Sequence, residues 1–163
     1  MATSVPNAPI TIKRDVTRPT LGNYVNIACF QYMRTGTENI VGRVPLIAAG
    51  RQRGYDLATT TGLAHSSVDP WVITEKLRAA LGADGTHLCI VQQISIRPDG
   101  GYIVYITEGA CTVGVTSEKP HCAFTLGVFV GAIMAMTGQR MIGRETACEA
   151  QGHDGCTYSI IPA

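Results

Sequence analysis

Apolar residues recur at helical spacing through the first half of this chain and at strand spacing through much of the second. Leu21, Tyr24, Val25, Ala28, Cys29 and Tyr32 fall on one helical face. They predict a helix over 21–34, opened by Pro19 and Thr20 and ended by Gly36. A second helix is predicted from Pro45 to about Thr60. Its Gly50 and Gly54 lie four apart and share a face, where another backbone can come close. Asp69 suits an N-cap and Pro70 a first helical position, so a third helix starts there and ends near Leu81 and Gly82.

The period then changes. Thr86 to Ile96 is rich in β-branched residues, Pro98-Asp99-Gly100-Gly101 is a turn signal, and Tyr102 to Thr107 is the returning strand. Cys111 to Val115 is expected to extend the sheet. Ser117 to Pro120 opens a last helix over about His121 to Thr137, which Gly138 stops. On it Ala123, Gly127, Gly131 and Ala135 make a ridge of small residues, while Phe124, Val128, Phe129, Ile133 and Met136 give bulk. Arg140 to Cys148 and Cys156 to Ile161 form a terminal hairpin around a turn at Gln151 to Gly155. Helices, strands, a helix and strands again predict an α+β fold, an antiparallel sheet packed with helices. Residues 1–17 read as an N-terminal arm, with a weak strand pattern from Ile10 to Val16, and 18–163 as one domain.

Composition sharpens this picture. The chain of 163 residues is 45% hydrophobic and 15% charged, against about 25% charged for an average domain. Such low charge implies a large buried fraction or an apolar surface that pairs with another subunit. Net charge is +1 and no basic stripe stands out, which argues against a nucleic-acid partner. Met1 to Pro9 has no apolar core of a signal peptide. The longest apolar run, Cys122 to Met136, is interrupted by Gly127 and Gly131 and falls short of the roughly 20 residues of a membrane span. The expectation is a cytoplasmic protein with no transmembrane segment. In a reducing compartment the six cysteines favour metal ligation or buried thiols over disulfides.

The chemistry concentrates near the end: His121-Cys122, then Arg144-Glu145-Thr146-Ala147-Cys148, then Gly152-His153-Asp154-Gly155-Cys156. Three cysteines and a carboxylate suit a tetrahedral metal. The start of a helix favours the Cys122 thiolate, and Gly152 and Gly155 let a hairpin curl around an ion. On spacing alone, metal ligation stands beside buried free thiols and a disulfide. Glu145 and Cys148 also differ in strand parity, so both ligate one ion only if the strand bends or ends between them. His121 and His153 are alternatives to Glu145 as fourth ligand.

Gly127 onward, followed by Glu145-x-x-Cys148-x-x-x-Gly152-His153-x-x-Cys156, resembles the 4-vinyl-reductase domain, also called a hydrocarbon-binding domain. That family includes a protein linked to bacteriochlorophyll vinyl reduction and the sensor modules of aromatic-responsive transcription activators. Its fold is related to subunits of a vesicle-tethering particle. The resemblance implies structural zinc on Cys122, Glu145, Cys148 and Cys156, clamping the terminal hairpin to the last helix. It implies a homodimer and a hydrophobic, aromatic or tetrapyrrole-like ligand. Trp71, Tyr102, Phe124 and Leu126 are the candidate ligand-binding residues. Beside those roles stands a plainer one: Trp71 as core or interface, Tyr102 and Tyr105 as a cross-strand pair, and Met134 and Met136 with Phe124 and Phe129 as ordinary core.

The expected function is a dimeric sensor or carrier module for a hydrophobic small molecule. The alternatives are a reductase or accessory factor in chlorophyll or bacteriochlorophyll synthesis, and a ligand-free assembly scaffold with a protein partner. No Ser-His-Asp order, phosphate loop or dinucleotide fingerprint supports catalysis.

Overall fold

The computed structural model describes residues 18–163, so the predicted arm and its strand pattern at Ile10 to Val16 lie outside the described residues. The elements run α1 (Ile27–Val41), α2 (Arg43–Thr60), α3 (Pro70–Leu81), β1 (Ile90–Ile96), β2 (Tyr102–Thr107), α4 (Ala123–Thr137), β3 (Met141–Ala147) and β4 (Cys156–Pro162). The four strands form one antiparallel sheet in the order β1-β2-β4-β3. The expected α+β class is therefore what the chain adopts.

Helix α4 is the centre of the molecule. Nearly all its residues are buried, because α2 covers one side and the sheet the other. The glycine ridges explain how close α2 and α4 come. A Cβ on Gly50 would sit 2.1 Å from the Phe124 carbonyl oxygen, and one on Gly54 1.9 Å from that of Val128. From the other side, Gly127 would meet the Ile47 oxygen at 2.2 Å and Gly131 that of Arg51 at 1.9 Å. Contacts this short exclude any side chain, so the two helices meet backbone to backbone. The inner sheet face supplies Val91, Ile94, Tyr102, Val104, Ile106, Tyr158 and Ile160 to the same core, and α3 covers β1 with Ile73, Leu77 and Leu81.

Three sequence expectations need correction. Periodicity predicts a first helix over 21–34 with Gly36 as its stop, yet α1 runs Ile27–Val41. Asn26 caps it, its side-chain oxygen accepting from Ala28 N at 2.8 Å. Gly42, at φ +82°, ends it and donates to Glu38 O at 2.8 Å. Gly36 meets nothing within 4 Å and is simply carried inside the helix. The strand predicted from Thr86 begins only at Ile90, because Thr86, Leu88 and Cys89 donate their N–H groups back to Ala80 and Leu81 at the end of α3. Cys111 to Val115 does not extend the sheet: Thr112 and Val113 both donate to Gly109 O at 2.9 Å, which closes the segment into turns. By contrast, Asp69 caps α3 by accepting from Trp71 N at 2.8 Å, and Gly138 closes α4 at φ +73°.

Candidate metal centre

Cys122, Glu145, Cys148 and Cys156 come together, with one ligand atom from each lying within 4.8 Å of all the others. Each arrives from a different piece of structure. Cys122 is the N-cap of α4, Glu145 lies on β3, Cys148 comes just after β3 and Cys156 opens β4. The parity conflict between Glu145 and Cys148 is removed by a bulge. Glu145 pairs with Tyr158 and Ala147 with Thr157, so Thr146 is an extra residue in the strand. One inserted residue turns the later side chains to the other face, and Cys148 then lies beyond the end of β3. A 3-10 turn at Glu149–Gln151 and Gly152, at φ +92°, bring the chain back to Cys156.

All three cysteines are buried, and the Glu145 side chain is only 2% exposed. The sulfurs of Cys122 and Cys156 are 3.1 Å apart. Backbone N–H groups point at two of the sulfurs: His121 N donates to Cys148 Sγ at 3.3 Å and Glu149 N to Cys156 Sγ at 3.3 Å. Glu145 Oε2 accepts from Cys122 N at 3.2 Å and from Arg43 Nη2 at 2.5 Å. Its other oxygen, Oε1, is buried and has no hydrogen-bond partner in the protein. An unpartnered buried carboxylate oxygen is expensive, and a cation held with the three sulfurs would satisfy it.

The electrostatics come from packing four acidic groups together. The Cys156 thiol is pushed down to about 3, first by the hydrogen bond from Cys122, then by those from Cys148 and Glu149 N–H. Cys122, the donor in that arrangement, is pushed up. Burial, then the neighbouring Cys148, raises the Glu145 carboxyl against the pull of Arg43. Shared protons or a metal ion relieve this mutual repulsion, and three thiolates with a carboxylate form a donor set that holds a thiophilic divalent ion. His121 and His153 are not part of the cluster: the His121 ring turns away to Arg34, and His153 is exposed.

Sequence reasoning missed the cations around the site. Arg34 is 2% exposed, the only buried residue of α1. Its Nη1 donates to Glu38 Oε2 at 2.7 Å and to the His121 carbonyl at 2.9 Å, and Nη2 lies 2.9 Å from His121 Nδ1. Arg43, from the start of α2, donates to Pro120 O at 2.7 Å as well as to Glu145. Two guanidinium groups thus fix the loop that leads into Cys122 and place positive charge beside an acidic cluster. The one hint in the sequence was an arginine placed directly after the mostly apolar run 27–33.

The four residues expected to bind ligand are not brought to one place. Trp71, at the start of α3, is 69% exposed. Tyr102 is buried, with its hydroxyl donating to Val68 O at 2.9 Å, and Leu126 is buried in the core. Phe124 is half-buried, edge-on to Phe30 with ring centres 5.9 Å apart. Phe124, with Leu57, Leu81, Leu88 and Val128, lines a cavity of about 130 Å³. That cavity shares Thr86 and Leu88 with a cleft of about 500 Å³, lined by Tyr24, Val25, Ile27, Phe30 and His87 among others.

Residues 105–162 match the 4-vinyl-reductase domain. The match spans β2, α4 and the terminal hairpin, and so covers all four clustered residues. The resemblance to the 4-vinyl-reductase family is thereby borne out for that segment. No curated protein matches the chain by sequence. Among solved structures, the chain is similar to the phenol-responsive sensory domain of the transcription activator PoxR with phenol. Identity there is 17% and the TM-score 0.64, covering 85% of this chain and 75% of that one. A vinyl-4-reductase family protein from Methanocaldococcus jannaschii is 14% identical with a TM-score of 0.62, over 88% of this chain and 85% of that one. A trafficking protein particle complex subunit 3 from Naegleria fowleri, covalently bound to palmitic acid, is 13% identical with a TM-score of 0.59, over 84% and 92%. Likeness at such identities is likeness of fold, and it extends well beyond the 4-vinyl-reductase segment into the helices before it. Among the described residues, no helix is long and apolar enough to cross a membrane.

Proposed function

We propose that this chain is a small-molecule-binding domain for a hydrophobic ligand, built on a structural zinc site and working as a homodimeric sensor or carrier. The observation that carries the ligand reading is the cleft of about 500 Å³ between the segment leading into α1 and the loop before β1. Its size lies in the range of pockets that enclose drug-sized ligands. Phe30, Ile27, Val25 and Leu88 make its wall apolar, with Tyr24 and His87 as polar handles whose rings stack edge-on, centres 4.5 Å apart. Known structures of this fold carry phenol or palmitic acid, which supports an aromatic, acyl or tetrapyrrole-like ligand here.

Zinc fits the donor set: three sulfurs and Glu145 Oε1 complete four positions. A closed set leaves no position for water or substrate, so the ion fastens the terminal hairpin to α4 and does not catalyse. The homodimer reading is supported by α1, which exposes Tyr32, Met33 and Ile40 on one uncharged face. Native mass spectrometry of protein from its own host tests all three elements at once. The expected spectrum shows a dimer with one zinc and one apolar ligand per chain. A zinc-loaded protein that shows no thermal shift with phenol, palmitate or a porphyrin overturns the ligand reading.

A further inference from the structure

A second cleft of about 500 Å³ opens between α2 and the edge strand β3. It shares no lining residue with the cleft beside α1. Its floor is apolar, built from Met134 of α4 with Met141 and Ile142 of β3. Two cations line it as well, Arg51 of α2 and Arg140 immediately before β3. Elsewhere in the described residues, Arg34, Arg43, Arg78 and Arg97 each pair with a carboxylate. Neither Arg51 nor Arg140 makes an ion pair among the described residues, although both line one concave site. The carboxylate nearest along α2, Asp56, accepts instead from Gln52 at 2.9 Å. Tyr55 adds a phenol at the same rim.

Both arginines stand on rigid backbone. The Arg51 carbonyl is packed against Gly131, where a Cβ would approach it to 1.9 Å, so this turn of α2 is pinned to α4. The Arg140 carbonyl accepts from Ala163 N at 3.0 Å. Two guanidinium forks held beside an apolar floor are complementary to an anionic head on an apolar body, since a guanidinium binds a carboxylate through paired, charge-assisted hydrogen bonds. A neutral hydrocarbon would leave both cations unanswered, and a small hydrophilic anion would leave the floor wet.

We infer that the cleft between α2 and β3 is a second ligand site, taking a monocarboxylate with an apolar tail or ring, its head between Arg51 and Arg140 and its body on Met134, Met141 and Ile142. This site is separate from the cleft of the proposed function and stands or falls independently of it. Titration of the intact, metal-loaded protein with octanoate, octanol and acetate, followed by methyl resonances, tests it. Octanoate is expected to shift the methyls of Met134, Met141 and Ile142 and to bind at least about tenfold more tightly than octanol or acetate. The double variant Arg51→Gln/Arg140→Gln, altered only at exposed positions, is expected to melt with the parent and to lose octanoate affinity about tenfold or more. Equal binding of octanol and octanoate, or unchanged octanoate affinity in the variant, overturns the inference. So do octanoate shifts confined to Ile27 and Leu88, an outcome that would instead favour the first cleft.

Discussion

The two ends of the described chain are built on opposite principles. From α4 to β4 almost every apolar side chain is buried, glycines are used for backbone contact, and four acidic ligands converge on one point. From Leu21 to Val44 the reverse holds: Tyr32 is 82% exposed, Ile40 85% and Val44 76%, and a single arginine is the only buried side chain of α1. The first region is defined by what it excludes, the second by what it leaves uncovered. Stability and recognition are thus divided along the chain, as expected when a scaffold is rigid and the segments that meet ligands or partners are held loosely.

Removing the metal should break this contrast most severely. Structural zinc contributes folding energy outright, and a chelator or Cys148→Ser is expected to lower the melting temperature by on the order of 10 °C or more. Calorimetry with and without chelator measures it. If the metal-free protein melts with the loaded one, the rigidity of the C-terminal region comes from α2–α4 packing alone. Gly54→Ala probes that packing directly. Its added Cβ would lie 1.9 Å from the Val128 carbonyl oxygen, so α2 and α4 must separate, at an expected cost of about 3 kcal/mol. Denaturant unfolding would show it as a lower midpoint with unchanged slope.

Arg34 joins the two regions, and its removal should have an intermediate effect. Arg34→Met keeps the apolar stem but leaves the His121 carbonyl and ring without their donor. Losing charged hydrogen bonds of this kind costs about 2 kcal/mol. Amide exchange should rise along α1 while α4 stays protected. Equal protection of α1 in variant and parent would mean that packing, not Arg34, docks this helix.

The contrast also explains which features the sequence made legible. Helix α3 was readable at both ends because its signals are local: Asp69 caps through its own side chain two residues on, and Pro70 fits the first turn. The hairpin β1–β2 was readable from its Pro98–Gly101 turn. The glycine ridges of α2 and α4 were visible separately, and only the structure brings them face to face. Helix α1 was misplaced because its sequence supplies an apolar face without a core to receive it, so periodicity located no end. At the site, cysteine spacing left metal, free thiols and a disulfide open, and the family resemblance singled out the four residues that converge. The Thr146 bulge was invisible, since an inserted residue changes no residue type. Arg34 and Arg43 were invisible for a different reason: their partners lie 87 and 102 residues away in the chain.

The smallest expected effect sharpens the comparison most, because it uses the same chemical change with the opposite sign. Gly36 lies inside α1, in helical conformation, and an added Cβ there meets nothing within 4 Å. Alanine in a helix interior is favoured over glycine by about 1 kcal/mol, so Gly36→Ala should stabilise the isolated chain by roughly that amount, whereas Gly54→Ala destabilises it. Unfolding at high dilution, where no second copy is bound, measures the intrinsic term. Repeating it at high concentration adds the second: if a copy packs against the α1 face, a methyl at its small position between Met33 and Ile40 obstructs close approach. The gain should then shrink or reverse as the protein is concentrated. A gain that is the same at every concentration would mean that this face, however apolar, is not where two chains meet.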